Sequence, residues 1–272
     1  MTGAELLAPG LGALVGLVLA LTGAGGAIIA VPLLVFGLHL SMAQAGPVGL
    51  LAVALAATVG AVLGWRAGVL RYKAAALMAA AGLVVSPLGL WLAQRIPNRP
   101  LTALFGAVLV GVAWRMFRQA GRDLRGEPRV AASEPPCRLD AASGKLHWNA
   151  PCARSLGLAG GAAGFLSGLL GVGGGFVLVP TLLAVTDLPM KAVVATSMGV
   201  LALVSAGGVF NASVAGLVRW DVGWPFAAGA LGGLVLGRSF ASRLSGPRLQ
   251  QGFAVLSGAI AVSLLGRAAG WV

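Results

Sequence analysis

Long apolar segments, separated by short polar stretches, run along most of this chain. Each half holds five such segments, and we expect each segment to form a helix. About 20 helical residues are needed to cross 30 Å of hydrocarbon. By that measure the third and fourth segments of each half are long enough to span a membrane, and the fifth is marginal. The predicted segments are Leu6–Thr22, Ala27–Leu40, Ala43–Trp65, Ala74–Ala93, Leu101–Phe117, Leu156–Leu170, Phe176–Val185, Lys191–Leu217, Val222–Ala241 and Leu249–Leu265.

The first two segments of each half fit neither one membrane crossing nor two. As a helix, Ala27–Leu40 would reach only about 21 Å, yet together with the segment before it the stretch is longer than one crossing needs. The joins are the glycine-rich stretches TGAGGAIIAVP, starting at Thr22, and LGVGGGFVLVP, starting at Leu170. We therefore predict a re-entrant helical hairpin in each half, followed by three spanning helices. Its turn would lie near the midplane, where irregular backbone needs surrounding protein or a watery cavity.

The second half of the chain repeats the first. A shift of 148 residues aligns Gly12 with Gly160 and continues without a gap to Phe105 and Phe253. The aligned halves share Gly-x-Gly-Gly-x-x-x-x-Val-Pro, which a general bias toward small residues does not explain. The charged, proline-bearing stretch between them is predicted to be a soluble, partly disordered linker. The predicted units are a first transmembrane repeat (1–117), the linker (118–154) and a second transmembrane repeat (155–272).

Composition indicates an all-α polytopic membrane protein. The 272 residues are 58% hydrophobic and only 10% charged, whereas soluble domains carry about 25% charged residues. The net charge of +12 would suggest a nucleic-acid partner in a soluble protein. Here the basic residues separate apolar segments, so we expect no nucleic-acid binding and attribute the charge to membrane topology. No lysine or arginine precedes Arg66, so no secretory signal peptide is predicted.

The positions of the basic residues favour an inverted second repeat. With the linker in the cytoplasm, three crossings per half place seven basic residues inside and four outside, whereas a parallel arrangement places five inside and six outside. We therefore predict two inverted repeats, a cytoplasmic linker and an external N-terminus. The inner residues are Arg66, Arg71, Lys73, Lys191, Arg238, Arg243 and Arg248, and the outer ones are Arg95, Arg99, Arg219 and Arg267.

The two glycine stretches are the candidate substrate site. In secondary transporters, matching helix breaks in two repeats point to the bound solute. Each glycine run opens a helix whose first N–H groups lack partners and can hold an anion. The alternative is that these glycines only allow close helix packing. A nucleotide-binding fingerprint is not supported, since neither a preceding strand nor a following acidic residue is present. The candidates are Thr22, Gly23, Gly25, Gly26, Gly171, Gly173, Gly174 and Gly175, with Pro32 and Pro180 as hinges that either kink the return helices or only interrupt their hydrogen bonding.

Polar side chains within the predicted spans are few. Thr196, Ser197 and Asn211 could donate to an oxyanion or could bond back to their own helix. The first repeat has Val48 and Gly49 where the second has Thr196 and Ser197, so any site is asymmetric.

Catalytic and metal-binding patterns are not evident. No paired carboxylates, catalytic triad or metal-ligand cluster is apparent, so we expect neither an enzyme nor a bound metal or cofactor. His39 is expected at the membrane interface. Cys137 and Cys152 lack the paired spacing of zinc sites. The two cysteines could form a disulfide or bind a metal together with His147, but we expect two free thiols.

Three motifs of the second repeat resemble the TauE/SafE sulfite exporter family, also called TSUP. They are GVGGGFVLVP (Gly171–Pro180), AVVATSMG (Ala192–Gly199) and NASVAGLVRWD (Asn211–Asp221), and the first repeat carries a degraded copy, GAGGAIIAVP. The resemblance implies an inner-membrane carrier for sulfur-containing anions such as sulfite and organosulfonates. It also implies anion binding by Gly171, Gly173, Gly174, Gly175, Thr196 and Ser197. Ala27 and the pair Val48–Gly49 depart from the glycine and the Thr-Ser pair expected of a full copy.

The leading hypothesis is therefore a secondary transporter of small sulfur-containing anions. Its expected partners are the anion and the lipid bilayer, and the pattern leaves homo-oligomer formation open. Two alternatives remain at this point. One is a membrane scaffold or assembly factor that works through the basic linker, and the other is a transporter of a solute without sulfur.

Overall fold

Ten α-helices make up most of the described part of the chain. The computed structural model describes residues 3–22, 26–125, 136–138, 146, 148–244 and 247–269. Each helix contains most of one predicted segment, so the prediction of an all-α polytopic membrane protein is confirmed. The helices are α1 (Gly3–Thr22), α2 (Gly26–Gly37), α3 (Met42–Arg66), α4 (Tyr72–Arg95), α5 (Asn98–Leu124), α6 (Ala150–Leu170), α7 (Gly175–Val185), α8 (Met190–Val214), α9 (Trp220–Leu244) and α10 (Pro247–Ala269).

Four of the described helices are long and apolar enough to cross a membrane. They are α3, α4, α8 and the Asn98–Arg122 part of α5. The expectation for the fourth segment of each half holds for α4, whereas α9 is not among the four. Exposed apolar side chains cover the outer face of α4, where Leu83, Val84 and Leu88 are all more than one third exposed. A surface of this kind is suited to lipid.

Exposed tryptophans lie near several helix ends. Trp65, Trp91 and Trp220 are each more than 40% exposed, close to the ends of α3, α4 and α9. The Arg95 guanidinium lies 4.0 Å from the centre of the Trp91 ring. Tryptophan and arginine at these positions are typical of the interface between hydrocarbon and water. They support the assignment of a multi-pass membrane protein.

Side-chain caps explain two helix starts, one of which the sequence analysis placed too late. Ser41 and Gln44 form a capping box at α3, in which each side chain accepts the other residue's backbone N–H. Asn149 caps α6 by accepting the Cys152 N–H at 2.8 Å. Because of this cap α6 begins at Ala150, within the predicted linker. At the other end of the predicted linker, α5 continues to Leu124.

Helices α4 and α6 run parallel, because their contacting positions advance together. Gly160 lies against the backbone of Met78, and one turn later Gly164 lies against the backbone of Gly82. Neither contact leaves room for a side chain on the glycine, as in membrane helices that associate through small residues. The residues that are equivalent to these under the shift of 148 residues lie in α1 and α9, and they make the same kind of contact. The equivalent contacts pair Gly12 with Phe226 and Gly16 with Ala230.

Aligned helices of the two repeats pack antiparallel. In α3 and α8, Gly60 lies against Met198 and Gly208 lies against Leu50, so one helix rises as the other descends. Since α8 is the copy of α3, this direction is what inversion of one repeat produces, and it supports the predicted inverted arrangement. Helices α5 and α10 show the same relation. Their contacts pair Gly106 with Leu265 and Ala113 with Gly258.

The prediction of two free thiols is wrong, because Cys137 and Cys152 form a disulfide. Both residues are fully buried, and their Cα atoms are 4.8 Å apart. The Cys137 N–H also donates to Val185 O at 3.1 Å. Cys137 thus joins the first turn of α6 to the last residue of α7, which means that this helix pair begins and ends on the same side. That is the geometry of a re-entrant hairpin. His147, named with the cysteines as a metal candidate, lies outside the described residues.

Candidate functional site

The glycine stretch of the second repeat forms a tight left-handed turn between α6 and α7. Gly171 ends α6 with φ +70° and donates its N–H to Ser167 O at 2.9 Å. Gly173 and Gly174 follow with φ +71° and +68°, and α7 begins at Gly175. Three left-handed residues within four positions explain why the sequence is so rich in glycine here, since a Cβ atom strongly disfavours this conformation.

Neighbouring helices close around this turn and leave no room for side chains. A methyl group on Gly171 would overlap Gly46 of α3, and one on Gly174 would overlap the Ala163 backbone. A methyl group on Gly173 would lie 3.1 Å from Leu201 Cδ2 and 3.3 Å from Val53 Cγ1. Leu201 and Val53 lie near the middle of α8 and α3. The turn is therefore buried deep in the helix bundle, level with the middle of α3 and α8.

The turn leaves backbone N–H groups without partners. Within the described part of the chain, the N–H groups of Gly173, Gly174, Gly175 and Phe176 donate to no acceptor. The first bonded groups of α7 are those of Val177 and Leu178, and both donate to Gly174 O. The free groups belong to the N-terminal end of a helix, which carries partial positive charge. Such an end binds anions through backbone donors alone.

Three serines beside the turn were missed by the sequence analysis. Ser86, Ser167 and Ser205 are at most 1% exposed, and the hydroxyl oxygen of each has no hydrogen-bond partner. Ser167 lies one helical turn before Gly171, and this spacing is the one signal that could have indicated it from sequence. Ser86 and Ser205 lie in other helices, so only the packed structure brings them to the turn.

A small cavity of about 30 Å³ touches the turn at Gly171. It lies between α3, α4, the end of α6 and the second half of α8, and Ser86 and Gln94 are its polar side chains. Its volume suffices for a water molecule or two. Binding an oxyanion at the turn therefore requires the surrounding helices to move apart.

The other predicted residues of the second repeat are spread along α7 and α8. Thr196 Oγ1 accepts the backbone N–H of Arg71 at 3.1 Å, which ties α8 to the start of α4. Ser197 is fully buried, and its hydroxyl has no partner. Asn211 is half-buried near the opposite end of α8. Pro180 lies inside α7 without ending the helix.

The first repeat is described only in part at the matching position. Gly26 opens α2, and a methyl group on it would lie 2.6 Å from Leu19 N and from Val15 O. Pro32 lies inside α2 without ending it. Thr22 ends α1, but its side chain lies outside the described part. Gly23 and Gly25 lie outside the described residues, so their predicted roles stay predictions.

Two arginines at equivalent positions of the repeats have different surroundings. Arg219 Nε donates to Asp221 Oδ1 at 2.9 Å, and this pairing raises the pKa of Arg219. In the first repeat the position aligned with Asp221 is Lys73. Arg71 therefore has no carboxylate at that spacing, and its Nε is buried without a partner. His39, expected at the membrane interface, is exposed in the connection between α2 and α3.

Comparison with known proteins matches almost the whole chain to one family. Residues 8–264 match the family model described as Sulfite exporter TauE/SafE. A probable membrane transporter protein of Xylella fastidiosa strain Temecula1 is 30% identical over 265 residues, which cover 95% of this chain and 94% of that protein. A second, from strain 9a5c, is 28% identical over 263 residues with the same coverage. A probable membrane transporter protein of Bacillus subtilis is 39% identical over 74 residues, or 27% of each chain. No solved structure matches the chain.

Proposed function

Because this chain belongs to the sulfite exporter TauE/SafE family of membrane transporters, we propose that it carries small sulfur-containing oxyanions, such as sulfite or organosulfonates, across the inner membrane. The relatives named above are probable membrane transporter proteins. In this proposal the anion binds at the glycine turn between α6 and α7. The matching glycine stretch of the first repeat would contribute from the other side.

The observation that carries the proposal is the set of unpaired N–H groups from Gly173 to Phe176, of which Gly173, Gly174 and Gly175 are buried residues. Close helix packing alone explains why Gly171 and Gly174 lack side chains. It does not explain four successive donors without acceptors, because buried backbone N–H groups are almost always bonded. An oxyanion would satisfy several of them at once. Hydrogen bonds to an ionised acceptor are also about twice as strong as neutral ones.

The membrane potential favours export of such a solute. An inside-negative potential contributes about 2.3 kcal/mol per elementary charge per 100 mV toward the exit of an anion. Export can therefore proceed without a coupled ion, whereas accumulation needs a co-transported cation. Movement of the two hairpin-bearing repeats against each other would open the turn to one side and then to the other, as in other carriers with inverted repeats.

Flux into liposomes tests the proposal. Purified protein is reconstituted, and the uptake of labelled sulfite, methanesulfonate and thiosulfate is compared with that of protein-free liposomes. We expect saturable flux of at least one anion. Gly173→Ala should reduce that flux at least tenfold, because its methyl group fills the space beside the donors. Gly157→Ala is the matched control, since nothing lies within 4 Å of a methyl group there. Absence of flux for all three anions would overturn the proposal.

We further propose that the linker faces the cytoplasm. The ends of helices that lie on the linker side carry Arg66, Arg71, Lys73 and Lys191, and cytoplasmic loops are enriched in such residues. The disulfide argues for the opposite side, because disulfides are more typical of oxidising compartments. We give the charges more weight, since both cysteines are fully buried and therefore shielded from cellular reductants.

A further inference from the structure

The hydroxyl group of Ser205 faces the glycine turn from α8. A methyl group built on Gly173 would lie 2.9 Å from Ser205 Oγ, with no other group of α8 closer to it. Ser205 is fully buried, and its Oγ has no hydrogen-bond partner. The hydroxyl therefore lies directly beside the turn that carries the unpaired N–H groups.

Three other hydroxyl groups in these helices are satisfied within their own helix. Thr58, Thr181 and Ser213 each donate to the carbonyl oxygen four residues earlier, at 2.7 Å in every case. This back-bond is the usual way for a membrane helix to satisfy a hydroxyl. Ser213 even lies on the same helix as Ser205. Ser205 makes no such bond, although leaving a buried hydroxyl unpaired costs free energy.

We infer that Ser205 is a ligand of the transported anion and donates its hydroxyl hydrogen to one of the anion's oxygen atoms. This inference rests on the proposed function. The N–H groups from Gly173 to Phe176 would hold one oxygen atom, and Ser205 would hold another. A compact oxyanion such as sulfite or a sulfonate group presents several acceptor oxygens to both sets of donors.

The two repeats differ at this position. The shift of 148 residues aligns Ser205 with Ala57, which is also fully buried in its helix. The extra hydroxyl thus belongs to the second repeat alone, next to its complete glycine motif. Alanine at the aligned position also shows that this part of the fold accepts it. Ser205→Ala is therefore a conservative way to remove the hydroxyl.

The polar side chains identified beside the turn in the described part of the chain are uncharged. The three atoms nearest to a methyl group on Gly173 belong to Ser205, Leu201 and Val53, and the polar side chains at the adjoining cavity are Ser86 and Gln94. Neutral donors in a poorly hydrated site compensate one negative charge more readily than two. We therefore expect Ser205 to belong to a site for singly charged oxyanions.

Thermal unfolding of the purified protein in detergent tests the inference, with sulfite and methanesulfonate as probes. Ser257 provides the matched control, because its hydroxyl is also buried and unpaired but lies on α10, which packs against α5. Without anion, Ser205→Ala and Ser257→Ala should both melt at or above the wild-type temperature. With anion, Ser205→Ala should need an anion concentration at least about tenfold higher than the wild type for the same rise in melting temperature. Ser257→Ala should need the same concentration as the wild type. Ser205→Cys, with a weaker donor, should fall between.

Each other outcome has a definite meaning. If the wild type is protected and Ser205→Ala is protected equally, the role of Ser205 is refuted while the proposed function stands. If Ser205→Ala melts well below the wild type without anion, the hydroxyl is structural and the inference is wrong. Equal loss of protection in the Ser257→Ala control would also refute it. If neither probe protects the wild type, the proposed function fails and the inference fails with it.

Discussion

Gly171 at the end of α6 packs against Gly46 in the first turns of α3, backbone to backbone. A methyl group on Gly171 would overlap Gly46 Cα, whereas one on Gly46 would lie 3.2 Å from Gly171 Cα. Only Gly171 has a left-handed backbone, with φ +70°. A side chain at Gly171 is therefore excluded by both the contact and the backbone conformation, whereas one at Gly46 meets only a tight contact.

From this asymmetry we predict that Gly171→Ala destabilises the protein much more than Gly46→Ala. The left-handed backbone costs alanine about 1–2 kcal/mol, and overpacking adds about 1–3 kcal/mol. For Gly46→Ala, the tight contact is offset by the gain in helix propensity, which is about 1 kcal/mol. Denaturant unfolding in detergent measures both variants. Equal losses would show that the left-handed turn is not maintained in solution.

A second prediction concerns the glycines that join α4 and α6. Gly164→Ala would overlap the Gly82 backbone and should force the helices apart, with a loss of about 1–3 kcal/mol. Gly157→Ala in the same helix meets nothing within 4 Å and should be neutral or stabilising, by up to about 1 kcal/mol. Melting temperatures in one detergent compare the two variants. Equal destabilisation would contradict the close packing of these helices.

Hydropathy predicted all ten helices because each helix has apolar surroundings, either protein or lipid, along most of its length and therefore has an apolar sequence. It placed the start of α6 too late, since the cap by Asn149 is a local polar feature outside the apolar segment. The disulfide could not be predicted, because the cysteines meet only when Cys137 is held against the end of α7 at Val185. Ser205 was missed for a similar reason. A single serine in an apolar helix gives no pattern, and its position beside Gly173 depends on how α8 packs.

Loss of the disulfide between Cys137 and Cys152 should destabilise the hairpin formed by α6 and α7. The bond between Cys137 and Cys152 closes a loop with a sequence separation of 15, for which the chain-entropy model gives about 3 kcal/mol of stabilisation. We expect the double variant Cys137→Ser with Cys152→Ser to lose a stability of this order. Unfolding of the wild type with and without reductant checks the same quantity. If the double variant were as stable as the oxidised wild type, the disulfide would contribute nothing to the stability of the fold.

Arg71 should speed the approach of anions from the linker side. Its aligned partner Arg219 is neutralised by Asp221, whereas Lys73 takes that position beside Arg71. We expect Arg71→Gln to lower the initial anion flux several-fold at low ionic strength. The difference should shrink in high salt, which screens such attraction. Its bond to Thr196 is made by the backbone N–H and survives the substitution.

The control for Arg71 is Arg219→Gln combined with Asp221→Asn, which leaves the net charge of that loop unchanged. This double variant should transport at the wild-type rate in both salts. An effect of Arg71→Gln that is the same at low and high salt would contradict a role in electrostatic attraction. It would point instead to a contact that the Arg71 side chain makes within the fold.

The basic residues and the disulfide predict opposite sides of the membrane for the linker, so an experiment that locates the linker shows which of the two is the better guide to topology. If the charges prevail, green fluorescent protein inserted after residue 130 should fluoresce, because it folds in the cytoplasm. Alkaline phosphatase fused after Val272 should then be active outside, since an odd number of crossings in the second repeat separates the linker from the C-terminus. The exchanged fusions serve as controls and should both be silent. The reverse pattern would place the Cys137–Cys152 bond in an oxidising compartment, and would make this chain an exception to the positive-inside rule.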